Sequence, residues 1–542
     1  MSNYSTRIIW IALAALIGVV AGFVVESLKI VPTRQLKSIA FEIRDALHLS
    51  KKPDPVEILA KQYRIDNEKF HLDRDQDTAL LPFDLTSFSP KGVVMGAGGI
   101  TMVGDRLLIM GRLGNFFECT EDCAKISKVP LPPIPNNIAA YVSQPGAQLN
   151  EKIFRAHSVR FSAAMKMLAV SHEYYDSEAK LPRFAVSVIS LDPATMEPGK
   201  SWETVFRSEP EVDGANDEAG GALLWGSDGK LFVTVGEFES RTRRLPQDVN
   251  SAFGKIFEID VRAKTHRLYS SGLRNAEGLA LSETLGLISV ENGPEGGDQL
   301  NKIIDGANYG WPDVSLGTDY HRYSYNGRQD GSRLGDYPAP IYAWVPSVAT
   351  STLTELHGFD QRWDGDLLVG SLKGQRLFRL RLDKGRVIYA EPIFIGKRIR
   401  DLAVMKPGVI ALWTDDGQVV LMSINHQKLA SDHRYPASLT GPLLDQCLFC
   451  HHFGPTSETD FAPSFSGLLG RPIASDRFRY SEGLRKVHDV WTPENLHKFL
   501  SDPAGFASGT AMPQMQLRPD EIDEIVATFQ RLDRAASAEN MK

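Results

Sequence analysis

From about Asp84 to Ile424 the apolar residues follow a period of two, in short runs broken by Gly, Asp, Asn and Pro, with few stretches of helical period. That alternation turns one face of a strand toward a core, so the segment reads as all-β. Six runs look alike: Arg106-Leu107-Leu108-Ile109-Met110, Lys166-Met167-Leu168-Ala169-Val170, Lys230-Leu231-Phe232-Val233-Thr234-Val235, Gly286-Leu287-Ile288-Ser289-Val290, Asp366-Leu367-Leu368-Val369-Gly370 and Gly408-Val409-Ile410-Ala411-Leu412-Trp413. Each follows a Gly-containing or polar turn. Their starts lie 60, 64, 56, 80 and 42 residues apart, an irregular repeat that fits four-stranded blades carrying loop insertions. One such strand per blade predicts a six-bladed β-propeller over residues 83–424. A β-sandwich or β-helix is the alternative, and about 340 residues overfill one sandwich.

The ends of the chain read differently. Ile8 to Val25 are 18 uncharged, mostly apolar residues, enough for a slightly short transmembrane helix and longer than the usual apolar core of a cleaved signal peptide, which is the competing reading. Arg7 on the short side predicts a cytoplasmic N-terminus with the rest exported. In a bacterium this is a single-pass inner-membrane anchor, residues 1–25, with the soluble domains in the periplasm. Residues 26–82, with a short helical pattern at Thr33 to Leu47, read as a stalk, and 425–439 as a polar linker. Past the linker the period becomes helical: Leu496, Phe499 and Leu500 follow the N-cap pattern Thr492-Pro493-Glu494, and Ile522, Ile525, Val526, Phe529 and Leu532 form a closing amphipathic stripe. The expectation is a multidomain chain with an N-terminal transmembrane helix, an all-β six-bladed propeller and an all-α domain over 440–535.

Composition narrows the functions. Sixty Lys+Arg against 67 Asp+Glu give a net charge of −7, with 42% hydrophobic residues, an ordinary globular balance without a nucleic-acid footprint. The four cysteines fall in two close pairs. Cys119 and Cys123 bracket a polar loop, where an oxidising compartment favours a local disulfide. Cys447-Leu448-Phe449-Cys450-His451 is the C-x-x-C-H pattern in which two thiols hold a haem covalently and the adjacent histidine ligates iron. A zinc or redox reading of this pair would want a second cysteine pair or a thioredoxin-like setting, and neither is near.

From about Ala437 to Leu532 the motifs resemble class I c-type cytochromes. Ala462-Pro463-Ser464 through Gly470-Arg471 is similar to a family stretch in which Phe465 stands in place of leucine. The resemblance implies that the Pro463 carbonyl holds the second nitrogen of His451, that Tyr480 and Trp491 lie by the haem propionates, and that Met512, in Gly509-Thr510-Ala511-Met512-Pro513, is the sixth ligand. Met515 and His452 are the alternatives. A Met/His pair raises the reduction potential relative to bis-His.

Within the propeller, Gly272-Leu273-Arg274-Asn275-Ala276-Glu277-Gly278-Leu279, Glu291-Asn292-Gly293-Pro294-Glu295-Gly296-Gly297-Asp298-Gln299 and Gly306-Ala307-Asn308-Tyr309-Gly310-Trp311-Pro312 resemble the PQQ-dependent sugar dehydrogenases, the family of soluble glucose, aldose and sorbosone dehydrogenases. The resemblance is strongest from Gly220 to Asp416. It implies cofactor contacts at Arg274, Asn275, Lys373, Arg398 and Arg400, cations suited to a tricarboxylate quinone. It also implies Trp344 as a wall of the pocket, and Gly293 and Pro294 as backbone carbonyl ligands to Ca²⁺.

One departure stands out. The family's catalytic histidine precedes a Gly-Gly-x-Leu entering a blade strand, and here Asn216-Asp217-Glu218-Ala219-Gly220-Gly221-Ala222-Leu223 has none. Glu218 takes that place, or Asp217 after a one-residue slip. Glu237 takes the place of the histidine's orienting aspartate, and Glu277 replaces a glutamine. The expected function is therefore a membrane-anchored quinohaemoprotein that oxidises a sugar or related alcohol, with Glu218 and Glu237 as catalytic residues, and passes electrons through haem to a respiratory acceptor. A haem-bearing electron-transfer or ligand-binding protein with a non-catalytic propeller is the alternative.

Overall fold

The six apolar runs pair with neighbours on both sides, which is why they carry the least polar sequence in the chain. In the computed structural model, which describes residues 71–78, 80–120, 122–147, 154–210, 218–238, 244–319, 331–431, 442–448, 450–454 and 462–539, each run forms the second strand of a separate antiparallel sheet. These strands are Arg106–Gly111, Met167–Asp176, Leu231–Val235, Gly286–Glu291, Leu367–Ser371 and Val409–Thr414. The sheets are blades 1 to 6, spanning residues 98–129, 156–210, 220–271, 276–344, 350–394 and 399–424. The fold is the expected six-bladed β-propeller.

The innermost strands, Gly98–Val103, Ala156–Ser162, Gly220–Trp225, Ala276–Ser282, Thr350–Glu355 and Ile399–Lys406, each contact the next and close into a ring. Hydrophobic clusters fill the seams between blades. The seam between blades 2 and 3 carries five phenylalanines, Phe184, Phe206, Phe238, Phe253 and Phe257, among aliphatic residues. Hydroxyls stitch the same seams: Ser171 donates to the Gly221 carbonyl at 2.6 Å, Thr234 to Ala276 at 2.7 Å, and Ser351 to Ile399 at 2.5 Å.

The ring is closed by an early strand. Pro82–Phe88 pairs with Val419–Ile424, Phe83 opposite Ile424, so blade 6 takes strands from both ends of the propeller sequence. A further strand, His71–Asp77, adds outside Pro82–Phe88, which places sheet in part of the expected stalk. Its sequence HLDRDQD has almost no apolar residue, so only backbone pairing marks it as a strand. The anchor Ile8–Val25 and the stalk helix at Thr33–Leu47 lie outside the described residues. Among the described residues no helix is long and apolar enough to cross a membrane.

At the centre of the ring lies one buried carboxylate. Asp401, on the inner strand of blade 6, accepts Nη1 and Nη2 of Arg160 from blade 2 at 2.7 and 2.9 Å, the Ile100 amide of blade 1 at 2.9 Å and the Thr352 hydroxyl of blade 5 at 3.1 Å. Gly99 makes room for it, since a Cβ there would stand 2.7 Å from Asp401 Oδ2.

The C-terminal part is helical, as its pattern predicts. The Thr492 side chain accepts the Asn495 amide at 3.0 Å and caps helix Pro493–Ser501, whose Leu496, Phe499 and Leu500 pack with Ile522, Ile525, Val526 and Phe529 of helix Pro519–Glu539. This domain docks on blade 5. Arg518 pairs with Asp383 at 3.1 Å, Lys384 with Asp520 at 3.0 Å, and Arg386 with Glu521. Leu448 packs into the hydrophobic cluster of blades 5 and 6 with Phe453 and Phe465 beside it. Residues 383–386 form the turn between the third and fourth strands of blade 5, whereas Lys373 lies in the turn between the second and third. In an antiparallel blade these turns are at opposite ends, so the dock is at the far end of blade 5 from Lys373.

Replacing Asp401 by Ala leaves the partly buried Arg160 without its carboxylate and the Ile100 amide and Thr352 hydroxyl without their acceptor, and the expected loss is about 3 kcal/mol of propeller stability. Denaturant unfolding measures it. Asp520→Ala, which removes only exposed pairs with Lys384 and Arg518, is expected to leave the propeller transition nearly unchanged.

Candidate functional site

The loops entering the inner strands and the turns between second and third strands share one end of the propeller, and most of the sequence-predicted cofactor residues gather there. Arg274 is buried and held by several partners. Its Nη1 donates to the Asn292 and Gly293 carbonyls, both at 3.1 Å, its Nη2 to Glu218, and its Nε lies 3.3 Å from Glu237 Oε1. The Trp311 indole donates to the other oxygen of Glu237 at 2.7 Å and lies under the guanidinium, 5.5 Å away. A buried guanidinium is tolerated because its donors find charged or carbonyl partners. Glu218 and Glu237, expected as a catalytic pair, are brought together as counter-ions of Arg274. Asp217 lies outside the described residues.

Asn275 is a positioning residue. It accepts the Gly220 amide and donates to Glu277, each at 2.9 Å. Burial pushes the Glu277 carboxyl above its ordinary range, against the pull of Arg400 at 4.0 Å. Arg400 and Arg398 converge on Asp415, donating to its two oxygens at 2.7 and 2.9 Å. Burial opposes the charge on Asp415, yet these two guanidinium groups hold it below the usual carboxylate range. Lys373 is exposed at the same end.

Trp344, expected as a wall of the pocket, closes blade 4 at this same end, its carbonyl accepting the Gly297 amide at 2.9 Å. It ends the outermost strand of blade 4, with its ring against Tyr342 and Phe378 in the seam with blade 5, where an indole buries more apolar surface than at a polar channel. For calcium, the Gly293 carbonyl is an acceptor for Arg274 and its amide donates to Asp298 at 3.0 Å. Among the described residues no cluster of three His, Cys, Asp or Glu side chains could hold a metal.

Between the inner strands lies a small polar cavity of about 40 Å³, lined among others by Arg155, His157, Arg160, Glu277, Arg400 and Asp401. It joins the expected Glu277 and Arg400 to residues that the sequence reading missed. The available signal was the stretch Arg155-Ala156-His157-Ser158-Val159-Arg160, charged and polar side chains just ahead of the apolar run Met167-Leu168-Ala169-Val170.

The helical domain encloses a larger cavity, about 200 Å³, lined mostly by apolar side chains, with Cys447, Cys450, His451, Met512 and Met515 on its wall beside Tyr480 and Trp491. Cys447 and Cys450 form no disulfide with each other. His451 Nδ1 lies 2.7 Å from the Pro463 carbonyl and its ring stacks on Phe465. That bond fixes the tautomer with Nε2 free, and burial lowers the histidine pKa to about 4, so the ring is neutral and able to ligate. A thioether-linked haem fits this apolar cavity. Cys119 and Cys123 form a disulfide in blade 1.

Comparison with known proteins agrees with both halves. Residues 163–422 match the family Glucose / Sorbosone dehydrogenase. Aldose sugar dehydrogenase YliI of Escherichia coli is 26% identical over 242 residues, 41% of this chain and 64% of that protein. Cytochrome c-550 of Ancylobacter novellus is 30% identical over 92 residues, 16% of this chain and 86% of that protein. Just under half of the chain matches the glucose/sorbosone dehydrogenase family, and its C-terminal part is similar to cytochromes c. A crystal structure of glucose dehydrogenase shares the propeller fold with a TM-score of 0.52, at 24% identity over 61% of this chain and 96% of that one. The chain spans less than two thirds of the curated relatives that match the propeller, 64% of the E. coli protein and 36% of quinoprotein glucose dehydrogenase B of Acinetobacter calcoaceticus.

In the cytochrome c domain both Met512 and Met515 reach the haem cavity. With Met512 as the sixth ligand, Met512→His lowers the reduction potential and Met515→Leu leaves it unchanged. Potentiometric titration of the haem band checks both; the reverse pattern assigns Met515.

Proposed function

We propose that the dehydrogenase domain binds PQQ and Ca²⁺ at the end of the propeller carrying Arg274, Lys373, Arg398 and Arg400, and oxidises a sugar or related alcohol there. The observation that carries this reading is the convergence of Arg398 and Arg400 beside the cavity, with Glu277 between Arg400 and Asn275. Cations held by partly buried carboxylates are restrained in direction, and restrained guanidinium forks suit the carboxylates of a planar anion. Arg398, Arg400 and Lys373 would hold the cofactor acids, Gly293 and Pro294 would offer carbonyls to calcium, and the Arg274 cradle would keep that loop in shape. When bound, the quinone supplies a two-electron acceptor.

The cytochrome c domain would then take the electrons one at a time and pass them to a respiratory acceptor, with Ile8–Val25 anchoring the protein to the inner membrane and both domains in the periplasm. Its dock lies at the far end of blade 5 from Lys373, so on this reading the fusion supplies local concentration, and the haem domain leaves the dock to meet the cofactor. A second reading, a haem protein with a non-catalytic propeller, draws on the engagement of both Glu218 and Glu237 with Arg274.

Titration calorimetry with PQQ and Ca²⁺, followed by an aldose and polyol panel with a dye acceptor, separates the two. The proposal expects PQQ binding, substrate-dependent dye reduction, and weaker PQQ binding by about 10–100-fold in Arg400→Ala, as befits a lost charge-assisted contact. Absence of PQQ binding and of turnover would leave the second reading.

A further inference from the structure

With Glu218 and Glu237 both occupied by Arg274, the propeller needs another group to take the proton of a substrate hydroxyl, and the cavity contains a histidine. His157 lies on the inner strand of blade 2, one blade before the loop where the family's histidine is missing. Gly221, at the start of the blade 3 inner strand, has a φ of +95° and would place a Cβ 2.5 Å from the His157 Cβ. The imidazole therefore rests directly on the Gly-Gly turn that follows Glu218. It stacks on Phe184, with ring centroids 5.9 Å apart.

The histidine also has a carboxylate behind it. His157 Nε2 is 3.6 Å from Glu173 Oε1, just beyond hydrogen-bond range, and Glu173 Oε2 accepts the Phe154 amide, which fixes that carboxylate from the far side. The pair leaves Nδ1 as the ring nitrogen available to a ligand. Such contacts are often loose before a ligand binds and tighten in the complex.

We propose that His157, oriented by Glu173, is the proton acceptor for substrate oxidation in this propeller, in place of the histidine that its family carries at the position of Glu218. This rests on the quinone-dehydrogenase reading above. In the step, the substrate O–H bond breaks and its proton goes to the imidazole. The C–H electron pair leaves as hydride to the ortho-quinone, so the alcohol is oxidised by two electrons and the quinone reduced by two. The charge environment suits a base: burial lowers the His157 pKa below its ordinary 6.5, outweighing Glu173, with Arg155 and Arg400 pushing the same way as burial. His172, on the second strand of blade 2, is likewise held neutral by burial, at about 4, and Glu277 faces the cavity from blade 4. A neutral imidazole at pH 7 accepts a proton, whereas a protonated one could not.

The test compares the PQQ- and haem-loaded wild type with His157→Gln and Glu218→Gln. The expected result is unaltered PQQ binding by calorimetry in His157→Gln, a fall in kcat of about 10²–10⁴-fold with KM little changed, and a smaller loss in Glu218→Gln. In the wild type the acid limb of the kcat profile lies below pH 6.5. Glu173→Gln moves that limb lower, because the imidazolium loses its counter-ion; this arm decides the matter if His157→Gln does not fold. In protein labelled with ¹³C-histidine, the His157 resonance, identified by its absence in His157→Gln, is expected to shift when PQQ and Ca²⁺ are added. An active wild type with an equally active His157→Gln, an acid limb indifferent to Glu173→Gln, or a histidine signal indifferent to PQQ overturns the inference alone. A wild type that neither binds PQQ nor turns over overturns the dehydrogenase reading with it.

Discussion

Asp401 holds the inner strands of four blades by one carboxylate, and the geometry of the channel follows from that contact. Its hydrogen bonds reach Ile100, Arg160 and Thr352 on blades 1, 2 and 5 while its own strand belongs to blade 6. Buried charge of this kind stabilises only when every donor and acceptor is met, and here Arg160 also donates to the Val159 and Ile100 carbonyls. With the ring so fixed, Arg400, the neighbour of Asp401, has its Cα position set, and Asp415 then sets the direction of its guanidinium. The rim charges are thus a consequence of the pin that holds the blades together.

The same logic explains why the site looks unlike a simple substitution of glutamate for histidine. A carboxylate at 218 beside Arg274 forms an ion pair, because the attraction between opposite charges in a poorly solvated cleft exceeds what either gains alone. Glu237 joins it, and Trp311 fixes Glu237 from the other side. The outcome is a cradle of two carboxylates around one guanidinium under the loop of Gly293, and the basic nitrogen of the channel is supplied by the neighbouring blade.

How far the sequence discloses this depends on the range of each interaction. The second strands were legible because they pack on both sides, as in Leu231–Val235, where all five residues are buried. The inner strands were less so, since His157, Arg160 and Asp401 interrupt their apolar alternation with side chains aimed at the channel. C-x-x-C-H, the Thr492 cap and the closing helix are local signals and map directly onto the haem cavity and its core. The partners of Glu218 and Glu237 are not local: Arg274 is 56 residues from Glu218 and Trp311 is 74 from Glu237. Trp344 was placed by motif similarity; it ends the outermost strand of blade 4 and its ring lies in the seam with blade 5. The strand His71–Asp77 has no apolar pattern to announce it.

The two halves of the chain are joined by a claim about electrons, and the dock of the haem domain at the far end of blade 5 makes that claim demanding. The most direct measurement is single-turnover mixing of PQQ- and Ca²⁺-loaded ferric protein with an oxidisable aldose, without any external acceptor, following the haem band. The account predicts haem reduction that requires both substrate and PQQ. Substrate oxidation detected with a dye while the haem stays ferric in its absence would contradict it.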